Sequence, residues 1–108
     1  MAINIFKNVN TDLTIAGATV YTTPAGYSGI VLSAQISNTT GTPQTFTMSV
    51  VNVNLSSRSL VTGFTVPGND SASALIGKLV LEQGQSLFVS ASDNTSLKLV
   101  LSVLESQN

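Results

Sequence analysis

The side chains that could do acid–base or ligand chemistry are few: the carboxylates Asp12, Asp70, Glu82, Asp93 and Glu105, the lysines Lys7, Lys78 and Lys98, and Arg58. No two of them are adjacent, and histidine and cysteine are absent. The imidazole base, the thiolate nucleophile and nearly all zinc, iron or copper ligation therefore fall away. A carboxylate pair could still move protons, and a lysine could still activate a serine. Ser56 and Ser57 beside Arg58 have no base near them in sequence, however, so a serine nucleophile has no support. Asp70 beside Asn69 and Asp93 beside Asn94 could begin a calcium site, but each loop brings one carboxylate where a hard cation wants several oxygens. Turn and capping chemistry is the simpler account of both. The expectation is a protein that is not an enzyme, with no catalytic residue, no cofactor and no metal.

Tyr27, in the turn Pro24-Ala25-Gly26-Tyr27, is the best candidate for ligand contact, because a sugar can rest on an exposed aromatic ring. The competing account is a loop tyrosine packed over the end of its own domain. Four Asn-x-Ser/Thr triplets begin at Asn38, Asn54, Asn69 and Asn94, as chance allows in a chain rich in these residues, and carry little weight as glycosylation sites.

The elements that must position these residues read as strands. Over 108 residues the hydrophobic share is 43%, but charged residues make up 8%, where about a quarter is usual. Ser, Thr, Asn and Gln must do the solvation, and such neutral surfaces are less costly to dehydrate than ionic ones. No basic stripe exists for nucleic acid, and no run approaches the roughly 20 apolar residues of a membrane span. Neither partner is expected. The length suits a single domain spanning residues 1–108.

Period-two alternation recurs along the chain. Ile30, Leu32, Ala34 and Ile36 alternate with polar residues, as do Phe46, Met48 and Val50. The turn formers Asn38-Thr39-Thr40-Gly41-Thr42-Pro43 lie between these strands, which predicts a hairpin. Leu87, Val89 and Ala91, then Asp93-Asn94-Thr95-Ser96, then Leu97, Leu99, Leu101 and Val103 predict a second hairpin. Arg58 to Val66 reads as a strand with a bulge at Gly63, Pro67 to Ser71 as a loop, and Ala74 to Leu81 as a strand. Glu82 to Gln85 turns at Gly84, and Ala18 to Thr22 is a short strand. Residues 1–12 form a first strand or an arm. The predicted class is all-β, an antiparallel β-sandwich or jelly-roll-like barrel of about seven or eight short strands.

Some apolar residues fall on the wrong faces of these strands: Val51, Val53, Phe88, Val100 and Leu104. Together with Ile3, Ile5 and Phe6 in the polar N-terminal stretch, they are the candidate interface residues, to be covered either by loops or by another subunit.

The stretch from Val20-Tyr21-Thr22-Thr23-Pro24-Ala25-Gly26-Tyr27 to Ile36-Ser37-Asn38-Thr39-Thr40 resembles an opening found in small β-sandwich structural proteins of tailed bacteriophages. Val66-Pro67-Gly68-Asn69-Asp70, Gly77-Lys78-Leu79-Val80-Leu81-Glu82-Gln83-Gly84-Gln85 and Leu99-Val100-Leu101-Ser102-Val103-Leu104-Glu105 extend the resemblance over residues 18 to 105. It implies a virion protein without catalytic residues, whose partners are other capsid or tail proteins and further copies of itself. Capsid decoration or cementing as a homo-oligomer is the leading expectation. A tail, neck or fibre component is the alternative, and a carbohydrate-binding module for host-surface attachment is the alternative from another class. Pro24, Gly26 and Gly84 carry over as turn residues only.

Overall fold

The computed structural model describes residues 4–54, 56–73 and 78–107. Among these are nine strands: β1 (Asn4–Asp12), β2 (Ala18–Thr22), β3 (Tyr27–Asn38), β4 (Gln44–Val51), β5 (Ser57–Val66), β6 (Ser71–Ser73), β7 (Leu79–Leu81), β8 (Ser86–Ala91) and β9 (Leu97–Gln107). They form two antiparallel sheets. The first runs β1-β9-β3-β6, with β7 on the same side of β3 further along, and the second runs β2-β8-β4-β5.

The pairs are nested. β4 pairs β5, β3 pairs β6 and β7, β2 pairs β8, and β1 pairs β9. The chain is thus a long ribbon doubled back at the β4–β5 hairpin and then rolled, so that β3 also meets β9 and β4 also meets β8. That connectivity is a jelly roll, and rolling hides the inner strand edges that an open sheet would leave free.

Both expected hairpins are corrected by this topology. β3 and β4 lie in different sheets, as do β8 and β9, so each intervening turn carries the chain across the sandwich. Asn38 shows why the first does so. Its side chain is buried, donating from Nδ2 to the carbonyls of Thr42 (2.8 Å) and Val66 (3.0 Å) and accepting at Oδ1 from Thr40 N (3.0 Å) and Thr40 Oγ1 (2.7 Å). These bonds tie the corner to the end of β5, in the opposite sheet. The hairpin that does form is β4–β5, where Asn52 N donates to Ser56 O at 2.7 Å.

The row Ile30, Leu32, Ala34 and Ile36 is also corrected. The β3–β9 register shifts between Val31 and Ser33, so Val31, Ala34 and Ile36 are buried while Ile30 turns outward. A bulge inserts one residue and reverses the facing of everything beyond it. The bulge expected at Gly63 is present: the β4–β5 register slips between Phe46 and Met48, Gly63 has φ of 60°, and its amide donates to Thr47 Oγ1 at 3.1 Å. A left-handed residue at a bulge favours glycine.

The strand count exceeds the expectation because Ser71–Ser73 pairs β3, just where the expected loop ends at Ser71, while Leu79–Leu81 falls within the strand expected over Ala74 to Leu81. The stretch 74–77 lies outside the described residues. Leu97, Leu99, Leu101 and Val103 of β9 fill the core together with Phe46, Met48, Leu87 and Val89 from the facing sheet.

Candidate functional site

Alternation gives each sheet an inner and an outer face, and the two outer faces differ in chemistry. On the second sheet the cross-strand partners Thr47 and Ser90, Thr45 and Thr65, and Ser49 and Ser59 present hydroxyls. On the first sheet, Phe6 pairs Leu104, Leu104 pairs Ile30, and Ile30 pairs Val80. These four side chains make one apolar row across β1, β9, β3 and β7. Its ends are the most open, with Phe6 75% and Val80 61% exposed, and the middle is half-buried. Beside it, Phe6, Lys7, Asn8, Leu32, Ser102 and Val103 line a groove of about 380 Å³. Val100 lies on the same face two positions further along β9 from Ser102 and is also exposed.

The structure thus brings together three of the candidate interface residues, Phe6, Val100 and Leu104, on one surface. Ile5 points the other way, opposite Glu105, at the sandwich edge. Val51 and Phe88 lie on the second sheet. The Phe88 ring is half-buried against the backbone of Gly17, where an added Cβ would come within 2.5 Å of it. Val53 is exposed at the β4–β5 turn, its Cγ2 against Gly84. Ile3 lies outside the described residues.

Ile30 and Val80 belong to the apolar row and were missed by sequence reasoning. The available signal was the unbroken run Ile30-Val31-Leu32, which forces an apolar side chain onto each face of a strand. Tyr27 opens β3 opposite Gln107 and is half-buried, with its amide donating to Pro24 O at 3.2 Å. Gly26 N donates to Gln83 Oε1 at 2.8 Å, tying the same turn to the β7–β8 connection.

Six of the nine charged side chains, Lys7, Asp12, Asp70, Asp93, Lys98 and Glu105, take part in the architecture. Glu105 on β9 is 2% exposed; its Oε2 accepts from Tyr21 Oη at 2.6 Å and its Oε1 pairs with Lys7 Nζ at 3.1 Å. Tyr21 stands on β2, so this contact links the two sheets. Burial in the first place, then the hydrogen bond to Glu105 and that group's charge, push the Tyr21 phenol well above its ordinary value. Gly29 makes room for it: a Cβ there would lie 3.0 Å from Tyr21 Oη. Asp12 pairs with Lys98 at 3.0 Å across β1 and β9. Asp93 accepts from Asn94 N and Ser96 Oγ, and Asp70 accepts from Ser71 N, which is turn chemistry. Among the described residues no three carboxylates gather in a way that could hold a metal ion.

No family model matches the sequence, and no curated protein matches it. Solved structures do match. A chain of the disulfide-linked pili that form Bacillus endospore appendages superposes with TM-score 0.56 at 12% identity, covering 99% of this chain and 88% of that one. A chain from the capsid of Helicobacter pylori bacteriophage KHP30 gives 0.51 at 12% identity, covering 98% and 93%. A chain of infectious bursal disease virus, Gt strain, gives 0.52 at 9% identity, and this protein spans 33% of its length. At such identities the likeness is one of fold: an all-β jelly roll shared, nearly end to end, with a phage capsid chain and an appendage chain.

Proposed function

We propose that this chain is a non-enzymatic virion structural protein that decorates or cements a capsid surface as an oligomer, with other virion proteins as its partners. The observation that carries the reading is the end-to-end fold match to a chain of a phage capsid structure. The chemistry is compatible: Glu105 and Tyr21 hold the two sheets together, and the outer faces are hydroxyl or apolar. Neutral faces suit repeated docking, because hydroxyls and methyl groups are dehydrated at less cost than ions and modest contacts sum over a lattice. Mass spectrometry of purified virions, followed by cryo-electron microscopy of the particle, tests the proposal. The chain should be present and lie on the capsid exterior; its absence from virions sinks the reading.

A tail, neck or fibre position is the second reading, and the match to an appendage-forming chain favours it. Density on the tail instead of the head would select it. A saccharide-binding role would need the Tyr27 ring laid open, and that side chain is half-buried.

A further inference from the structure

We propose that the outer face of the β1-β9-β3-β7 sheet docks against the same face of a second copy of this chain, about a two-fold axis, with Phe6 of each copy entering the groove of the other. This rests on the assembly reading above and names the surface by which the oligomer forms.

Three observations favour a second copy over another partner. First, the face carries a knob and a hole side by side: the exposed Phe6 side chain forms one wall of the groove that Lys7, Leu32 and Ser102 also line. A knob adjoining a hole satisfies itself under a two-fold rotation, because in an isologous contact each feature meets its counterpart twice. Second, the charges on and beside the face are already cancelled, Lys98 by Asp12 and Lys7 by Glu105. At its β7 edge Lys78 and Glu82 flank the strand with opposite signs. A face with so little unpaired charge can meet its copy without burying an uncompensated ion, and it offers little to a partner recognised by charge. Third, the area suffices. The strands β1, β9, β3 and β7 hold 9, 11, 12 and 3 residues, and at ~3.3 Å per residue and ~4.8 Å per strand the face offers roughly 550 Å² per copy. The resulting total of about 1,100 Å² clears the roughly 1,000 Å² that a specific interface needs.

Light scattering coupled to size exclusion tests the inference on the full chain, with Phe6→Lys and Val80→Lys as variants and Val53→Lys as the control. All three positions are exposed, so each variant should fold, as circular dichroism will check. The wild type should run at twice the chain mass. Each face variant should weaken the dimer by at least about tenfold, since a two-fold contact meets the buried ammonium twice. Val53→Lys should leave it intact. A wild type that stays monomeric at every concentration, or an oligomer that both face variants leave unchanged, overturns the inference. Virion purification separates this from the functional reading. A Phe6-dependent dimer missing from particles defeats only the virion role, whereas a monomer found on particles defeats only the docking face.

Discussion

At the scale of single residues, the Tyr21–Glu105 bond is the contact whose loss should be felt most. Both groups are buried, and they belong to facing sheets. Tyr21→Phe removes the hydroxyl and leaves Glu105 Oε2 without that donor. A stranded buried acceptor costs about 1–3 kcal/mol, and more when it is charged, so urea denaturation at neutral pH should show a loss of at least about 1 kcal/mol. The same substitution has a signature at high pH. The folded phenol holds its proton above the ordinary tyrosine value of about 10. Tyr21 therefore contributes a stability that is fully present below pH ~10 and is lost as pH rises from there, since the unfolded chain releases the proton first. Wild-type stability should fall faster than that of Tyr21→Phe above pH ~10, by up to about 1.4 kcal/mol per pH unit. Parallel curves for the two proteins would show that the phenol is not held in this way. The sequence offered Glu105 as one of five scattered carboxylates; nothing in its spacing pointed to Tyr21, 84 positions away.

At the scale of elements, the decisive feature is how the chain crosses between sheets. The corner after β3 stacks on the loop after β5, where Asn69 N donates to Thr40 O and Asn38 N to Asp70 O, each at 2.8 Å. Gly68 there lies so close to the Gly41 backbone that a Cβ would come within 2.5 Å of it. Asn38 uses both its donors and its acceptor on this corner while only 3% exposed. Asn38→Ala should cost about 2–3 kcal/mol in chemical denaturation, by stranding several partners at once. Asn38→Asp should cost more than that despite its matching shape, because a carboxylate cannot donate to the Thr42 and Val66 carbonyls and brings buried charge toward them. An aspartate variant more stable than the alanine one would contradict this account. The corner also shows where sequence reading stops. Side-chain alternation reported faces well: Phe46, Met48, Leu87, Val89 and, on β9, Leu97, Leu99 and Leu101 are inside as expected. It carries no information on which strand lies alongside. A polar, glycine-containing turn looks the same whether it closes a hairpin or crosses a sandwich, and here the difference lies in Asn38 bonding to a strand end far along the chain. The candidate surface was legible to the same degree. Phe6, Val100 and Leu104 were named from their stray positions, while Ile30 was assigned to the core because the bulge that turns it outward is a property of pairing.

At the scale of the whole molecule, the scarcity of charge governs how this protein should respond to its solvent. Two ion pairs join described side chains, and of their four partners only Glu105 is deeply buried. The other buried side chains among the described residues are apolar or, as with Thr23, Asn38 and Ser96, neutral, and the remaining surface is largely neutral. Screening acts on exposed charges within about 10 Å at moderate ionic strength, and exposed pairs contribute little to begin with. Raising sodium chloride should therefore move unfolding stability by less than about 0.5 kcal/mol. Sulfate acts differently, because its exclusion from protein surface strengthens apolar burial. It should raise the unfolding midpoint and, through the Phe6–Leu104–Ile30–Val80 row, tighten self-association as well. An assembly held by charge would behave in the opposite sense and loosen as chloride rises. Sedimentation across a chloride series and a sulfate series distinguishes the two. A dimer that dissociates with added chloride would mean that Lys78, Glu82 or another exposed ion, and not the apolar row, carries the contact.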